Sequence, residues 1–531
     1  MNRRLILKHT SIHITNYDMG DCPTLENYFK IYDPLTHTKY FKALIYDEEK
    51  RELILPRGLD IYLLESLLGV EATIDYEYDK YDTVDPIMIR YLPRDDNQKL
   101  TLRFILGEGE YSNNKRKSQL CVNNNTGTGK TYVGSMMMAY NLYKTIVIAS
   151  TTGILEQWID RMEEYTDISR NDICIIKGAP TINRLMSTNG NDRYKIFLVT
   201  HSTLNSYANS NGWDAVGELF KFLRVGLKII DEYHQNFDNI VLIDAYTNTY
   251  KTLYLSATPI RSSESENRIY QYAFKNIPAI ELFDENKDPH TDYIAIRYNS
   301  RPKPSQISEC KNQYGLNRMK YIQYLVHQEE FELVLYYVAK ICKRTNGKVL
   351  IYIGVNSCIE YVKDWLITNF PELEHKIGIY TSVVTDNKKD MLDKKIILST
   401  TKSCGAAMDI KGLKTTILLA EPFKSEVLAR QSLGRTRDKD TLYIEFVDMG
   451  FAQTKRFYNA KLPVFEKYAK SCKDTTISHM QLLDMYNKIC FEQEYYAKPF
   501  EYVDSNNLSK PFEKVDIKHL KSGLIKLPKE R

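Results

Sequence analysis

The 531-residue sequence has few cysteines and lacks the patterns in which cysteines usually act. Its 9 cysteines are odd in number, are scattered along the chain and include no Cys-x-x-Cys pair. This arrangement argues against a disulfide framework and against a zinc site, because both depend on paired cysteines. We therefore expect reduced thiols and a cytoplasmic protein, in the host cytoplasm if the source is viral.

A long apolar run is also missing. No hydrophobic segment approaches the roughly 18 residues that a membrane-spanning helix needs. Near the start, Leu5, Ile6 and Leu7 form a short apolar run before charge returns at Lys8. A secretory signal needs a longer apolar core, so we expect neither a signal peptide nor a membrane partner.

The chain carries no strong excess of charge. Its 72 Lys and Arg residues against 68 Asp and Glu residues leave a net charge of +4. This near-neutral balance neither predicts nor excludes nucleic acid as a partner. Hydrophobic residues at 43% and charged residues at 26% are ordinary for globular proteins, which excludes wholesale disorder. At about 150 residues per domain, the length predicts three or four domains.

Short apolar segments alternate with longer helical segments and predict two successive α/β halves with parallel sheets. The predicted strands are 120–122, 145–149, 196–199, 227–230 and 252–255 in the first half, and 349–353, 396–398, 416–420 and 442–447 in the second. A polar stretch with proline breakers, 283–308, lies between them. We predict an N-terminal accessory α+β module (1–89), a first α/β domain (90–282), a second (283–464), and a helical C-terminal extension with a polar tail (465–531).

The sharpest motif is Thr-Gly-Thr-Gly-Lys-Thr, between a predicted strand and a predicted helix. In a phosphate-binding loop, glycines turn backbone amides toward phosphate oxygens at a helix N-terminus. The lysine then reaches the β- and γ-phosphates, and the final hydroxyl completes a Mg²⁺ shell. Asn124 stands where the motif usually has its first small residue, which we interpret as a variation. The predicted ATP-binding residues are Thr126, Gly127, Thr128, Gly129, Lys130 and Thr131.

Two acids end a later strand and supply the carboxylates that a phosphate-binding lysine needs beside it, one for the metal ion and one for the attacking water. Asp231 would orient Mg²⁺ through its water shell, and Glu232 would position the attacking water. Further along, Ser256 and Thr258 stand at another strand end. Their hydroxyls carry no charge, so we predict that they couple nucleotide state to the acidic box, which includes His234.

The order Thr-Gly-Thr-Gly-Lys-Thr, Asp-Glu-Tyr-His and Ser-Ala-Thr-Pro resembles a superfamily 2 helicase of the DExH class, and bacteriophage-type DNA helicases in particular. In the second half, a glycine-rich turn with Gly405 and Asp409 is similar to the family's fifth motif, and Gln431 to Arg437 is similar to its sixth. The resemblance implies two tandem RecA-like domains, with ATP in the cleft between them.

The resemblance also implies roles for individual residues. Gly405, Asp409 and Gln431 would contact the nucleotide, and Arg435 would reach the γ-phosphate as an arginine finger. Arg437 falls two positions after Arg435, where the family usually has three, so either it acts through an altered turn or it is a surface or nucleic-acid contact. Gln98 is similar to the family's adenine-recognising glutamine. Nucleic acid would contact Thr151, Gln157, Thr200, Thr381 and Thr401.

We predict an ATP-dependent DNA helicase or translocase that acts in replication, recombination or repair on single-stranded or branched DNA. The Tyr-, Asn- and Lys-rich composition suits an AT-rich viral genome. An RNA helicase or RNA-dependent ATPase is the close alternative. A packaging motor or nuclease subunit is more distant, because it would need clustered acids, and Asp386, Asp390 and Asp393 fit a solvated helix face better.

Overall fold

The computed structural model describes residues 4–33, 38–41, 43–69, 73–77, 79–124, 128–257, 264–282, 290–313, 315–381, 388–401, 403–404, 410–433 and 440–497. Its described residues up to 282 form one compact unit, and those from 290 onward form another. Each unit contains a seven-stranded sheet whose paired strands run parallel. The predicted α/β class is therefore confirmed.

A small α+β module opens the first unit, as the strand and turn pattern predicts. Five strands form a sheet in the order β5-β6-β2-β1-β7, in which β1 pairs antiparallel with β2 and parallel with β7. The strands β3 and β4 form a separate antiparallel pair. The strands are β1 (Arg4–Leu7), β2 (Ser11–Thr15), β3 (Lys30–Asp33), β4 (Thr38–Phe41), β5 (Ile45–Asp47), β6 (Glu52–Pro56) and β7 (Thr73–Tyr76), and the helices are α1 (Pro23–Phe29) and α2 (Ile61–Leu68).

This module packs against the rest of the first unit. Its apolar side chains belong to the same buried cluster as those of the larger sheet, with Phe29 and Phe274 among them. Hydrogen bonds add to the contact, since the His9 N–H donates to Asn248 Oδ1 at 2.7 Å and the Ser118 hydroxyl donates to the His9 carbonyl at 2.7 Å. The module is thus fixed to the first α/β sheet by a shared core.

The first seven-stranded sheet has the order β10-β11-β9-β12-β13-β8-β14. Its strands are β8 (Gln119–Asn123), β9 (Thr145–Ala149), β10 (Ile173–Ile176), β11 (Ile196–Thr200), β12 (Leu227–Asp231), β13 (Lys251–Ser256) and β14 (Ala279–Ile280). The helices are α3 (Asp96–Leu106), α4 (Lys130–Asn141), α5 (Thr152–Tyr165), α6 (Ala179–Ser187), α7 (His201–Asn211), α8 (Trp213–Leu223), α9 (Phe237–Tyr246) and α10 (Glu264–Ala273), with 3₁₀ turns at Gly109–Arg116, Arg170–Asp172 and Tyr233–Gln235.

The order of these strands explains why the motifs meet. The strands β9, β12, β13 and β8 are neighbours and parallel, so their carboxyl ends lie at one edge of the sheet. The phosphate loop follows β8, the acidic box ends β12, and Ser256 ends β13. Ligands of open α/β sheets bind at this edge, which places the predicted site there.

The second seven-stranded sheet has the order β19-β20-β18-β21-β22-β15-β23. Its strands are β15 (Thr291–Tyr298), β18 (Lys348–Ile353), β19 (Ile377–Tyr380), β20 (Ile396–Ser399), β21 (Leu413–Ala420), β22 (Thr441–Asp448) and β23 (Ser471–Thr476), and a two-stranded pair consists of β16 (Lys311–Asn312) and β17 (Gly315–Leu316). The helices are α11 (Pro304–Glu309), α12 (Arg318–Leu325), α13 (Glu329–Arg344), α14 (Asn356–Asn369), α15 (Lys388–Asp393), α16 (Glu426–Leu433), α17 (Ala452–Tyr468) and α18 (His479–Ala497), with a 3₁₀ turn at Pro371–Lys376.

Two strands of this sheet correct the sequence interpretation. The stretch 283–308 is not simply a polar connection, because β15 lies within it and pairs with β22 on one side and β23 on the other. The region after Phe465 is not only helical and polar, because it contains β23, an edge strand of the sheet. The strand β23 is largely exposed and carries polar side chains, so its backbone pairing rather than an apolar pattern defines it.

The sequence predicts neither disulfides nor a membrane-spanning helix. In the described part of the chain, the cysteines form no disulfide. None of its helices is long and apolar enough to cross a membrane.

Candidate nucleotide-binding site

The phosphate loop requires glycine at position 129. Gly129 has φ of +87°, a conformation that side chains strongly disfavour. A Cβ atom at this position would also lie 2.2 Å from Gln98 Nε2, so the Gln98 amide would have to leave its place against the loop. The predicted residues Thr126 and Gly127 lie outside the described residues, while Thr128 and Lys130 are described.

Lys130 is the first residue of α4 and lies beside the acidic box. Its Nζ donates to the Asn124 carbonyl at 3.2 Å and lies 3.7 Å from Glu232 Oε1. Its side chain is only 10% exposed. A largely buried ammonium group at a helix N-terminus, next to a glycine turn, can bind phosphate oxygens.

Asn124 has a structural role that the sequence does not reveal. Its Nδ2 donates to the Thr101 hydroxyl at 3.1 Å, and its Oδ1 accepts from the Leu282 N–H at 3.1 Å. The side chain therefore fastens the start of the loop to α3 and to the segment after β14. This gives a physical reason for asparagine where the motif usually has a small residue.

Gln98 lies against the phosphate loop. Its Oε1 accepts from the Arg94 N–H at 2.9 Å, and its Nε2 donates to the Thr128 carbonyl at 3.1 Å. The residue is buried in the first turn of α3, where Asp95 caps the helix through the Gln98 N–H at 2.8 Å. The described geometry gives Gln98 a role in holding the loop, in addition to the adenine contact that remains a prediction.

The two roles of Gln98 predict different binding losses. If Gln98 holds the loop, Gln98→Ala should weaken the binding of ATP and the binding of base-free tripolyphosphate by a similar factor of about ten. One lost hydrogen bond is worth about 1 kcal/mol or somewhat more. Equilibrium binding of both ligands measures this, with the exposed neighbour Asn97→Ala as the control. A loss confined to ATP would instead assign Gln98 to the adenine.

Asp231 ends β12 and is buried. The Trp158 indole N–H donates to its Oδ2 at 2.9 Å. Burial, followed by the neighbouring charge of Glu232, raises the pKa of the Asp231 carboxyl above its usual range. A buried carboxylate at this edge is a suitable oxygen donor for a hard cation such as Mg²⁺.

Glu232 adopts a strained backbone conformation. Its φ of 51° and ψ of 46° are left-handed, which costs free energy for a residue with a side chain. The side chain is 2% exposed and faces Lys130. Such strain is typical of functional positions, where the surrounding structure holds a side chain in a required place.

Two of the predicted coupling residues, His234 and Ser256, lie together beside Glu232. His234 Nδ1 lies 3.2 Å from Glu232 Oε2 and 2.7 Å from the Ser256 hydroxyl oxygen. The acidic box and the end of β13 are therefore joined through one imidazole ring. Thr258 lies outside the described residues.

Tyr233 anchors the acidic box, and sequence reasoning assigns it no role. Its hydroxyl donates to Asn123 Oδ1 at 3.1 Å, and Asn123 Nδ2 donates to Glu281 Oε1 at 3.2 Å. Its ring packs against Tyr254 and Phe274 in the core. The only available signal was an aromatic residue between Glu232 and His234, which by itself indicates core packing.

The predicted nucleic-acid contacts of the first unit lie at helix starts. Thr151 caps α5 by accepting from the Ile154 N–H at 3.4 Å, and Thr200 caps α7 by accepting from the Thr203 N–H at 3.2 Å. Gln157 lies within α5. These bonds are ordinary helix caps, and the same positions are where helix N-termini can bind phosphate oxygens.

In the second unit, Thr381 is buried directly after β19, and Thr401 is buried after β20. The Thr401 N–H donates to Glu421 Oε2 at 2.8 Å, and its hydroxyl donates to the other oxygen of the same carboxylate. Arg318 lies 3.7 Å from Glu421 Oε1. Glu421 thus fixes the turn at Thr401, a role the sequence analysis missed because one acid after a strand carries no specific signal.

The remaining predicted nucleotide contacts stay predictions. Gln431 lies in α16, and its side chain is not described. Four others lie outside the described residues, namely Gly405, Asp409, Arg435 and Arg437.

Residues 91–261 match the family model for the Type III restriction enzyme, res subunit. This segment contains the phosphate loop and the acidic box. Over 325 residues the chain is 22% identical to the ATP-dependent DNA helicase MPH1 of Scheffersomyces stipitis, an alignment that covers 59% of this chain and 28% of that protein. The chain therefore spans less than a third of the length of this relative.

The fold is similar to that of S. cerevisiae Dbp5 bound to RNA and ADP BeF3. The TM-score is 0.50 at 13% sequence identity, and the match covers 75% of this chain and 93% of that chain. Together with the two parallel sheets, this likeness shows that the chain has two tandem RecA-like domains.

Proposed function

We propose that the protein is an ATP-dependent DNA helicase or translocase of superfamily 2, of the DExH class. The observation that carries this proposal is the meeting of Lys130 and Glu232. They are 102 positions apart in sequence (232 − 130), yet their charged atoms lie 3.7 Å apart at the carboxyl edge of the first sheet. A lysine that can bind phosphate, beside a buried carboxylate that can position water, supplies two of the groups that ATP hydrolysis uses.

In this proposal the chain binds the triphosphate through the amides and hydroxyls from Thr126 to Thr131, with Lys130 on the β- and γ-phosphates. The Thr131 hydroxyl and the Asp231 carboxylate would hold Mg²⁺, and their oxygen donors fit that cation. The metal ion would neutralise charge that develops on the phosphate oxygens. Glu232 would position the attacking water and accept its proton.

Coupling to movement would use residues of both units. The contacts among Glu232, His234 and Ser256 would report nucleotide state from the acidic box to the end of β13. Arg435 would act as the arginine finger on the γ-phosphate, with Arg437 as a second finger or a nucleic-acid contact.

We propose DNA, single-stranded or branched, as the track, and replication, recombination or repair as the setting. The matching sequence relative is named a DNA helicase, and the matching family model is that of a restriction enzyme subunit. RNA is the second candidate, supported by the RNA-bound state of the Dbp5 structure. The contacts would be Thr151, Gln157, Thr200, Thr381 and Thr401, which offer hydroxyl and amide groups to phosphate oxygens.

The proposal also includes a source and a location for the protein. A bacteriophage source is supported by composition alone, and a cytoplasmic location by cysteines that form no disulfide in the described chain.

The nuclease alternative needs a cluster of acids. Across the described residues, no group of three or more His, Cys, Asp and Glu side chains is placed to hold a metal ion. Asp390 and Asp393 lie exposed on or at the end of α15, and nothing in that part favours a nuclease.

One panel tests the proposed function. ATP hydrolysis is measured with single-stranded DNA, duplex DNA, branched DNA and RNA, each across a range of salt concentrations. We expect DNA to stimulate hydrolysis, with a stimulation that falls steeply as salt rises because phosphate contacts release counterions. Stimulation by RNA alone would select the second candidate. A hydrolysis rate that no strand alters would contradict both.

A further inference from the structure

Trp158 is a buried tryptophan with a single polar atom. It lies in the middle of α5, is 1% exposed, and belongs to the core between the sheet and its helices. An indole N–H can only donate, and a buried indole needs an acceptor. The acceptor here is Oδ2 of Asp231 at 2.9 Å, the carboxylate assigned to Mg²⁺.

The ring is held tightly from the side of the phosphate loop. Gly134 lies in α4, the helix that begins at Lys130, and a Cβ atom there would lie 2.6 Å from Trp158 Cη2. Only glycine permits this approach between α4 and the indole ring. The indole of Trp158 therefore packs closely against the helix of the phosphate loop while its N–H is bonded to Asp231.

The same helix connects this hydrogen bond to a proposed nucleic-acid contact. Thr151 caps the start of α5, and Trp158 follows it by seven positions (158 − 151), which is roughly 10 Å along a helix. A helix is a stiff element over that distance. If strand binding displaced α5 at Thr151, the Trp158 side chain would transmit that displacement to the Asp231 carboxylate.

We infer that Trp158 is a positioning residue that fixes the Asp231 carboxylate for Mg²⁺ and links strand binding at the start of α5 to the bound Mg²⁺–ATP. This inference rests on the proposed function. The indole touches neither nucleotide nor strand. Its contribution is to restrict rotation of the carboxylate, as outer-shell hydrogen-bond partners do for metal ligands.

The test measures binding rather than hydrolysis. Trp158→Phe keeps an aromatic ring, smaller than the indole, and removes the N–H group. Binding of a non-hydrolysable ATP analogue is titrated with Mg²⁺, with and without saturating single-stranded DNA. We expect the Mg²⁺ midpoint of the variant to rise about ten- to a hundredfold. We also expect DNA to shift the midpoint in the parent protein but not in the variant. Trp213→Phe is the matched control.

The outcomes separate the parts of the inference. A variant with the parent's Mg²⁺ midpoint would overturn the positioning role, and one that keeps the parent's DNA-dependent shift would overturn the link. If neither DNA nor RNA binds or stimulates the parent protein, the proposed function fails, while the titration without DNA still tests whether Trp158 fixes Asp231.

A second measurement leaves Trp158 in place. The chain has three tryptophans, so a Trp213→Phe, Trp365→Phe double variant reports Trp158 fluorescence alone. We expect Mg²⁺ with the ATP analogue to change the intensity or wavelength of that emission, because the carboxylate that accepts from the indole N–H would then face the metal ion. Nucleotide binding that leaves the emission unchanged would overturn the inference, even if Trp158→Phe fails to fold.

Discussion

Lys130→Ala is expected to lower ATP hydrolysis by at least about a hundredfold, since a positioned cation on the transferred phosphate supplies transition-state stabilisation of that order. The ammonium group lies 3.7 Å from Glu232 and at the first residue of α4, where it can reach phosphates. Steady-state hydrolysis, with and without nucleic acid, measures the loss. Nucleotide binding should weaken as well, because Lys130 contacts the ground state of the triphosphate.

The fold should survive this change. Lys130 belongs to none of the buried apolar clusters of the described chain, and the hydrogen bond that its Nζ donates to the Asn124 carbonyl holds a loop rather than the core. Lys99→Ala is the matched control, because Lys99 is an exposed lysine of the same unit that pairs with Asp96. Equal turnover in Lys130→Ala and the parent, with both proteins folded, would remove the phosphate-loop assignment.

The sequence predicts the central strands because their chemistry is unambiguous. Buried parallel strands such as β9 and β12 are continuous apolar runs, and they appear where the pattern predicts them. The strand β23 could not be predicted in this way. It is an exposed edge strand of polar residues, and only pairing with β15, which is distant in sequence, makes it a strand.

The same contrast holds within the site. Lys130, Asp231 and Glu232 are predictable because phosphate chemistry restricts both residue type and position. The partners that hold them are not, since Trp158, Asn124 and Tyr233 act through hydrogen bonds that the fold creates. A tryptophan in an amphipathic helix predicts only a buried ring. Its position 73 residues before Asp231 becomes informative only when β9 and β12 are known to be neighbours.

Glu232→Gln is expected to lower the rate of hydrolysis by about a hundredfold or more, which is the usual contribution of a positioned general base. The amide retains the size of the carboxylate and the left-handed backbone, but it cannot accept a proton from water. ATP binding should remain close to that of the parent, because Lys130 and the loop amides are unchanged. Equilibrium nucleotide binding and single-turnover hydrolysis measure the two effects separately. Glu218→Gln, at an exposed acid paired with Lys221 in the same unit, is the control.

This separation distinguishes Glu232 from Lys130 and from a merely structural acid. Loss of Lys130 should weaken binding and chemistry together, whereas Glu232→Gln should leave ATP bound and unhydrolysed, with the complex held on its strand. If Glu232 served only to neutralise Lys130, the glutamine variant would instead bind ATP more tightly and hydrolyse it at the parent's rate. Unchanged single-turnover hydrolysis would therefore transfer the role of positioning water to another residue. A hundredfold loss of hydrolysis with ATP binding retained would assign that role to Glu232. His234, which contacts the Glu232 carboxylate, would then be separated from the reacting water by that one side chain.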